Sequence, residues 1–267
     1  MELALLSRIR IVLVETTPPG NIGGVARAMK NMGLHDLALV QPHHFPDSQA
    51  TARASGADDI LAQAQVFDDI ASAVADCHVV MGASARLRSI RWPEFCPRSA
   101  ASHIAGQGAE VRTAILFGRE HSGLTNEELE RCHSLLHIPS NPDFSSLNIA
   151  AAVQVVAYEL RMAALAAAAA PVVAPAPRDE GEALASGAAM LSFYGHLEQA
   201  LWDFGYLHER RASPSIMHRL HRIFNRSRLE NAEVHILRGI LSAAQREIAR
   251  ATTEKGEGAT LQDRSTS

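Results

Sequence analysis

Three short segments carry side chains suited to holding an anion and handling a proton. The first is Asn21-Ile-Gly-Gly-Val-Ala-Arg27 and the second Ile115-Leu-Phe-Gly-Arg-Glu-His-Ser-Gly-Leu-Thr125. The third is Ile138-Pro-Ser-Asn-Pro-Asp-Phe-Ser-Ser-Leu-Asn148. Arg27 supplies a permanently charged, forked donor of the kind that suits phosphate. On the first turns of a helix, free amides and the helix dipole would add to that attraction. The glycines at 20, 23 and 24 follow a strand-like run, so a phosphate-cradling loop has to be weighed against a plain turn. Their spacing is not G-x-G-x-x-G, and Gln41-Pro42 stands where a ribose-binding acid would close the second strand. A nicotinamide oxidoreductase is thereby disfavoured. Gly118 either lets a flat ligand approach the backbone or simply makes a turn. Glu120 either orients Arg27 or Asn21, or caps the next helix. Arg119 reads as a surface or structural residue, and Ser145-Ser146-Leu147-Asn148 as a loop and N-cap before a long helix.

Each segment lies where a strand-like run gives way to a helical pattern, the usual place for a site in an α/β domain. The predicted strands are Ile9–Glu15, Leu37–Gln41, a weak Gln65–Phe67, His78–Ala83, Thr113–Gly118 and Leu135–Ile138. Helical patterns over Ile22–Met32, Ile70–Ala75 and Thr125–Cys132 fall between them, the last opened by a capping box of Thr125 and Glu128. Alternation of this kind predicts a mostly parallel sheet with helices on both faces. Ile149, Val153, Val156 and Leu160 then repeat at helical spacing, to about Ala168. The expected organisation is a catalytic domain over 1–168, an alanine- and proline-rich linker over 169–189, a helical bundle over 190–251 and a disordered tail over 252–267. The bundle's helices are Met190–Phe204, Pro214–Asn225 and Ala232–Ala251, with Trp202, Phe204 and Tyr206 in its core.

Composition narrows the class further. Hydrophobic residues make up 47% and charged residues 20%, which suits a soluble protein with a substantial core. The N-terminus does not read as a signal peptide, and the alanine-rich stretch near 163–176 is broken by Pro171 and Pro175, a poor membrane span. Cys77, Cys96 and Cys132 show no CxxC spacing, and the 13 histidines show no metal-binding pattern, so no metal is expected. A cytoplasmic location is the simplest expectation. The net charge of -4 is unevenly spread: between His208 and Arg228 six arginines (210, 211, 219, 222, 226, 228) face one acid, Glu209. Arg86, Arg88, Arg91 and Arg98 form a second basic run, and clusters of this kind suit a phosphate backbone. His208, His218 and His221 read as an extension of that face. Trp92, between arginines, is either packing or a base-stacking platform.

Taken together, the three segments resemble the motifs of the SPOUT methyltransferases, and among them the bacterial tRNA ribose 2′-O-methyltransferases acting on cytidine or uridine at anticodon-loop position 32. Ser84-Ala-Arg and Arg91-Trp-Pro add to the likeness. The resemblance implies S-adenosylmethionine as cofactor, held by Ala83, Ser84, Ala85, Gly118, Ile138, Ser145, Ser146 and Leu147. It further implies Arg27, Asn21 and Ser146 as catalytic residues, a deep trefoil knot closing the catalytic domain, and a homodimer with tRNA as partner. Arg86, Arg88, Arg91, Arg210, Arg211, Arg219 and Arg222 are the expected RNA contacts. The alternatives are methylation of another tRNA or rRNA nucleotide, or a catalytically silent RNA-binding protein.

A ribose 2′-hydroxyl is a weak acid, whereas a sulfonium methyl is already electrophilic. Such an enzyme has to align oxygen, carbon and sulfur and stabilise charge growing on the oxygen. A guanidinium, with a pKa above about 12, is a poor base. Arg27 is therefore expected to anchor phosphate and polarise the hydroxyl, with the proton passing to water, phosphate or Ser146.

Overall fold

The computed structural model describes residues 3–85, 92–169, 183–208 and 213–263, with backbone alone for Ser213 and for 251–263. Seven strands form one parallel sheet: β1 (Ile9–Val14), β2 (Asp36–Val40), β3 (Gln65–Phe67), β4 (Val79–Ala83), β5 (Glu94–Phe95), β6 (Thr113–Phe117) and β7 (Ser134–Leu136). Their order is β3-β2-β1-β6-β4-β7-β5, and every pairing is parallel. All six residues of β1 are buried, so alternate side chains serve opposite faces. Ile9, Ile11 and Leu13 join one apolar cluster, while Val12 and Val14 join the other.

Helices α1 (Pro19–Met32), α2 (Ser48–Ala54), α3 (Asp58–Gln63), α5 (Pro97–Ala105) and α7 (Ile149–Ala169) cover the first face. On the second lie α4 (Ile70–Ala73) and α6 (Asn126–Glu130). The α6 capping box is present, with Thr125 N–H donating to Glu128 at 2.7 Å and Glu128 N–H to Thr125 at 3.2 Å. α7 is long and apolar enough to cross a membrane by length and composition alone. Its stripe of Ile149, Val153, Val156 and Leu160 is nevertheless buried in the first cluster against α1 and α5.

β7 is inserted between β4 and β5, which are consecutive in the chain. Leu135 N–H donates to Pro93 O and His137 N–H to Phe95 O, both at 2.9 Å, while Ser84 N–H donates to Leu136 O at 3.0 Å. The mostly parallel sheet with helices on both faces is the architecture expected from the sequence.

Beyond α7 the chain forms α8 (Gly187–Asp203), α9 (Ser213–Ser227) and α10 (Asn231–Asp263) around Met190, Phe193, Tyr194, Leu197 and Val234. Trp202 and Phe204 are only half-buried and Tyr206 is exposed, because they lie on the last turn of α8 and the bend after it. α10 is helical to Asp263, where a tail was expected from Thr252. Once a helix is nucleated, each added residue costs little, and Glu254, Lys255, Glu257 and Leu261 are good formers.

Candidate active site

At the carboxyl ends of β4, β6 and β7 lies a cavity of about 250 Å³, the position that open α/β sheets give their ligands. Ala83, Ser84, Ala85, Gly118, Ile138, Ser145, Ser146 and Leu147 all line it. Its floor is apolar, from Phe117, Leu124, Leu136 and Ile149, while serines and Glu120 supply polar atoms at its edge. A cleft that joins an apolar floor to serines, Glu120, Arg119 and His121 suits a ligand with a flat ring at one end and polar or charged groups at the other.

Of the two readings open to Gly118, the turn is the one the structure requires. A Cβ there would lie 2.2 Å from the Gly123 carbonyl carbon and 2.3 Å from Leu124 N. The chain's own turn, bridged between Arg119 and Gly123, therefore excludes a side chain. Gly20, Gly23 and Gly24 lie inside α1, which starts at Pro19, so they form no phosphate loop. At Gly23 a Cβ would sit 2.0 Å from Ala50 O, so the glycine allows α2 to pack on α1.

One hydrogen-bonded chain joins the three motifs. Asn21 Nδ2 donates to Glu120 Oε1 at 2.8 Å, and Asn148 Nδ2 donates to Asn21 Oδ1 at 3.0 Å. Asn148 Oδ1 in turn accepts from Ala150 N–H at 2.9 Å and so caps α7. Of the roles open to Glu120, orienting Asn21 is the one formed. The spacing of Asn148 signals a helix start, and nothing in the sequence signals Asn21 as its partner. Arg119 clamps the base of the loop, donating to Glu15 at 2.9 Å and to Glu128 at 3.0 and 3.1 Å. The hydrogen bonds it donates to these two acids drive its pKa upward.

Arg27 is exposed and eight residues past Pro19, beyond the first turn where free amides and the dipole act. Its guanidinium lies 3.4 Å from Ser55 Oγ and does not line the cavity. Of the expected RNA contacts, Arg219 is exposed on α9, whereas Arg222 stacks over Trp92 at 5.4 Å. Trp92 is thus partly committed to packing on the second cluster. Arg86, Arg88, Arg91, Arg210 and Arg211 lie outside the described residues. His218 and His221 do not extend an outer face: His218 reaches Glu130 at 3.3 Å, and His221 tilts against Tyr194 with ring centroids 4.0 Å apart. Among the described residues no three His, Cys, Asp or Glu side chains cluster to hold a metal.

The SpoU rRNA Methylase family matches residues 8–158, more than half of the chain. The chain belongs to that family. A second family, the TrmJ tRNA methyltransferase C-terminal domain, matches residues 188–254. The protein is 48% identical to the tRNA (cytidine/uridine/adenosine-2′-O-)-methyltransferase TrmJ of Pseudomonas aeruginosa, over 94% of this chain and 98% of the relative. It is 46% identical to the tRNA (cytidine/uridine-2′-O-)-methyltransferase TrmJ of Cronobacter sakazakii, over 90% and 97%. The crystal structure of TrmJ from Z. mobilis ZM4 superposes with a TM-score of 0.76 at 36% identity, covering 88% of this chain and 97% of that one.

Proposed function

We propose that this protein transfers the methyl group of S-adenosylmethionine to the ribose 2′-hydroxyl of cytidine or uridine at anticodon-loop position 32 of tRNA. The observation that carries this reading is the Glu120–Asn21–Asn148 chain, which ties three separated motifs together beside one cavity. Two full-length relatives named for tRNA ribose methylation, and the matching C-terminal domain, favour tRNA over ribosomal RNA. Their names differ over adenosine, which makes tolerance of a purine a question for this chain too.

The cofactor supplies an activated methyl group, and the residues here arrange what receives it. Ala83, Ser84, Ala85, Gly118, Ile138, Ser145, Ser146 and Leu147 would hold it, with the Glu120 carboxylate near the sulfonium. Asn21, fixed from both sides, and Asn148 set the geometry of the receiving end. We assign to Ser146, which lines the cavity, the relay of the proton leaving the ribose oxygen. Arg27 anchors the flanking phosphate and stabilises the growing oxyanion as a fixed cation.

Because Arg27 is exposed outside its own chain's cavity, we place it in the cavity of a second copy. The second copy has a surface to dock on. Val155, Tyr158, Met162 and Leu165 form an exposed apolar stripe on α7, opposite its buried one. Large exposed apolar patches of this kind mark interaction sites. As an enzyme of tRNA, the homodimer works in the cytoplasm.

The test is to incubate the purified protein with tRNA and S-adenosylmethionine and identify the product nucleosides by mass spectrometry. 2′-O-methylcytidine or 2′-O-methyluridine is expected. A base-methylated nucleoside, or no transfer, contradicts the reading.

A further inference from the structure

Phe144 is the most exposed large apolar side chain among the described residues, at 80%. It lies directly before Ser145, Ser146 and Leu147, which line the cavity. Leu147, 41% exposed, and exposed Ala85 border the same opening. The ring is not on a loose loop. Phe144 N–H donates to Asn141 O at 3.0 Å, Asp143 N–H to Asn141 Oδ1 at 3.1 Å and Ser140 Oγ to Ser145 O at 3.1 Å. Pro142 opens the short 3₁₀ turn, and Asn148 pins the far end to Asn21. A hydrogen-bonded turn thus holds an exposed aromatic ring one residue before the lining of the site, where a polar side chain would be better solvated.

We infer that Phe144 stacks against the base of the nucleotide being methylated. The inference rests on the proposed ribose methylation. For a 2′-oxygen to enter the cavity, its nucleotide has to leave the stack of the anticodon loop, and its base loses its neighbours. Aromatic side chains are the usual replacement for single-stranded bases. Ser146 is two residues from Phe144, so their Cα atoms lie within about 7.6 Å. A base is attached to the ribose whose oxygen is being methylated, so it falls in the same range. Every base has a π-face, so this contact accepts pyrimidines generally. Discrimination then falls to other groups, and Phe144 acts by holding the substrate in register.

The experiment compares wild type with Phe144→Ala, Phe144→Leu, Phe144→Tyr and Phe144→Trp. It measures kcat and KM for tRNA, the Kd for S-adenosylmethionine and the oligomeric state by light scattering. Phe144→Ala and Phe144→Leu should raise the KM for tRNA by about 5- to 100-fold, the range of one lost base stack. Phe144→Tyr and Phe144→Trp should stay near wild type, and cofactor affinity and oligomeric state should not change. If leucine serves as well as phenylalanine, or alanine leaves KM unchanged, the stacking contact does not exist. If Phe144→Ala instead breaks a dimer, the ring is an interface residue and the inference is overturned. A wild-type protein that methylates no tRNA would refute the proposed function itself, an outcome distinct from any of these.

Discussion

At the scale of single residues, the site depends on side chains whose polar atoms are already committed. Asn21 gives its amide to Glu120 and receives one from Asn148, so it cannot rotate without breaking a bond. Asn148→Ala removes one of these and the α7 cap together, each worth about 1 kcal/mol. It should lower kcat about 10- to 100-fold with cofactor affinity nearly kept, which steady-state kinetics beside calorimetry will show. Gly118→Ala should behave differently. The atoms its Cβ would meet belong to backbone, which cannot swing aside, so the Arg119–Gly123 turn has to open and cofactor binding should be lost. Arg27→Ala should bind cofactor normally and lose most turnover. The three motifs stood out where strand-like runs give way to helical patterns, and the eight lining positions that their family resemblance implied all reach one cavity. Two things were not legible. Nothing in the spacing showed that Asn148 reaches Asn21, or that Arg27 lies outside its own cavity, since both depend on contacts between distant segments.

At the scale of elements, β1, β2, β4 and β6 were readable because each is a strong apolar run bounded by turns. β5 was missed: two residues carry no periodicity. α5 was missed as well, because Ala100, Ala101 and Ile104 bury a face whose small residues give a weak apolar signal. The insertion of β7 between β4 and β5 is a property of strand order, which local pattern does not encode. That insertion also leaves His133 partly buried, with its Nδ1 accepting from Val80 N–H at 2.9 Å. Burial, with the Arg228 cation nearby, pushes its pKa down to about 4. In the unfolded chain it titrates near about 6.5, so between those values the unfolded state takes up a proton that the native state refuses. Stability should therefore fall as pH drops from about 6.5 towards 4, by up to about 3 kcal/mol from this residue. His133→Asn, which keeps an acceptor without a titrating group, should flatten that slope in denaturant melts. His221, also pushed down to about 4 by burial, should leave part of it in place. On α7, Tyr158→Glu should give monomers and abolish turnover if the exposed stripe joins two copies.

At the scale of the whole molecule, the helical bundle is fastened to the sheet domain. Asn225 Nδ2 donates to Glu130 O at 2.9 Å, Arg228 donates to Gln107 at 2.6 Å, and Gly187 N–H donates to Cys77 O at 2.8 Å. The Arg222–Trp92 stack adds a contact close to the β4–β5 connection. This fastening explains why the histidines of α9 face inward while Arg219 and Arg226 face solvent. Arg219→Glu with Arg226→Glu should weaken tRNA binding and make the salt dependence shallower, because fewer phosphates are neutralised. Filter binding at several salt concentrations reads both effects.

The most direct measurement is mass-spectrometric mapping of position 32 in tRNA from cells lacking the gene, then supplied with the wild-type or the Arg27→Ala protein. Ribose 2′-O-methylation of cytidine or uridine should vanish with the gene, return with the wild type and stay absent with Arg27→Ala. Methylation that persists without the gene, or returns in full with Arg27→Ala, would contradict a site in which three joined motifs and a fixed guanidinium perform the transfer.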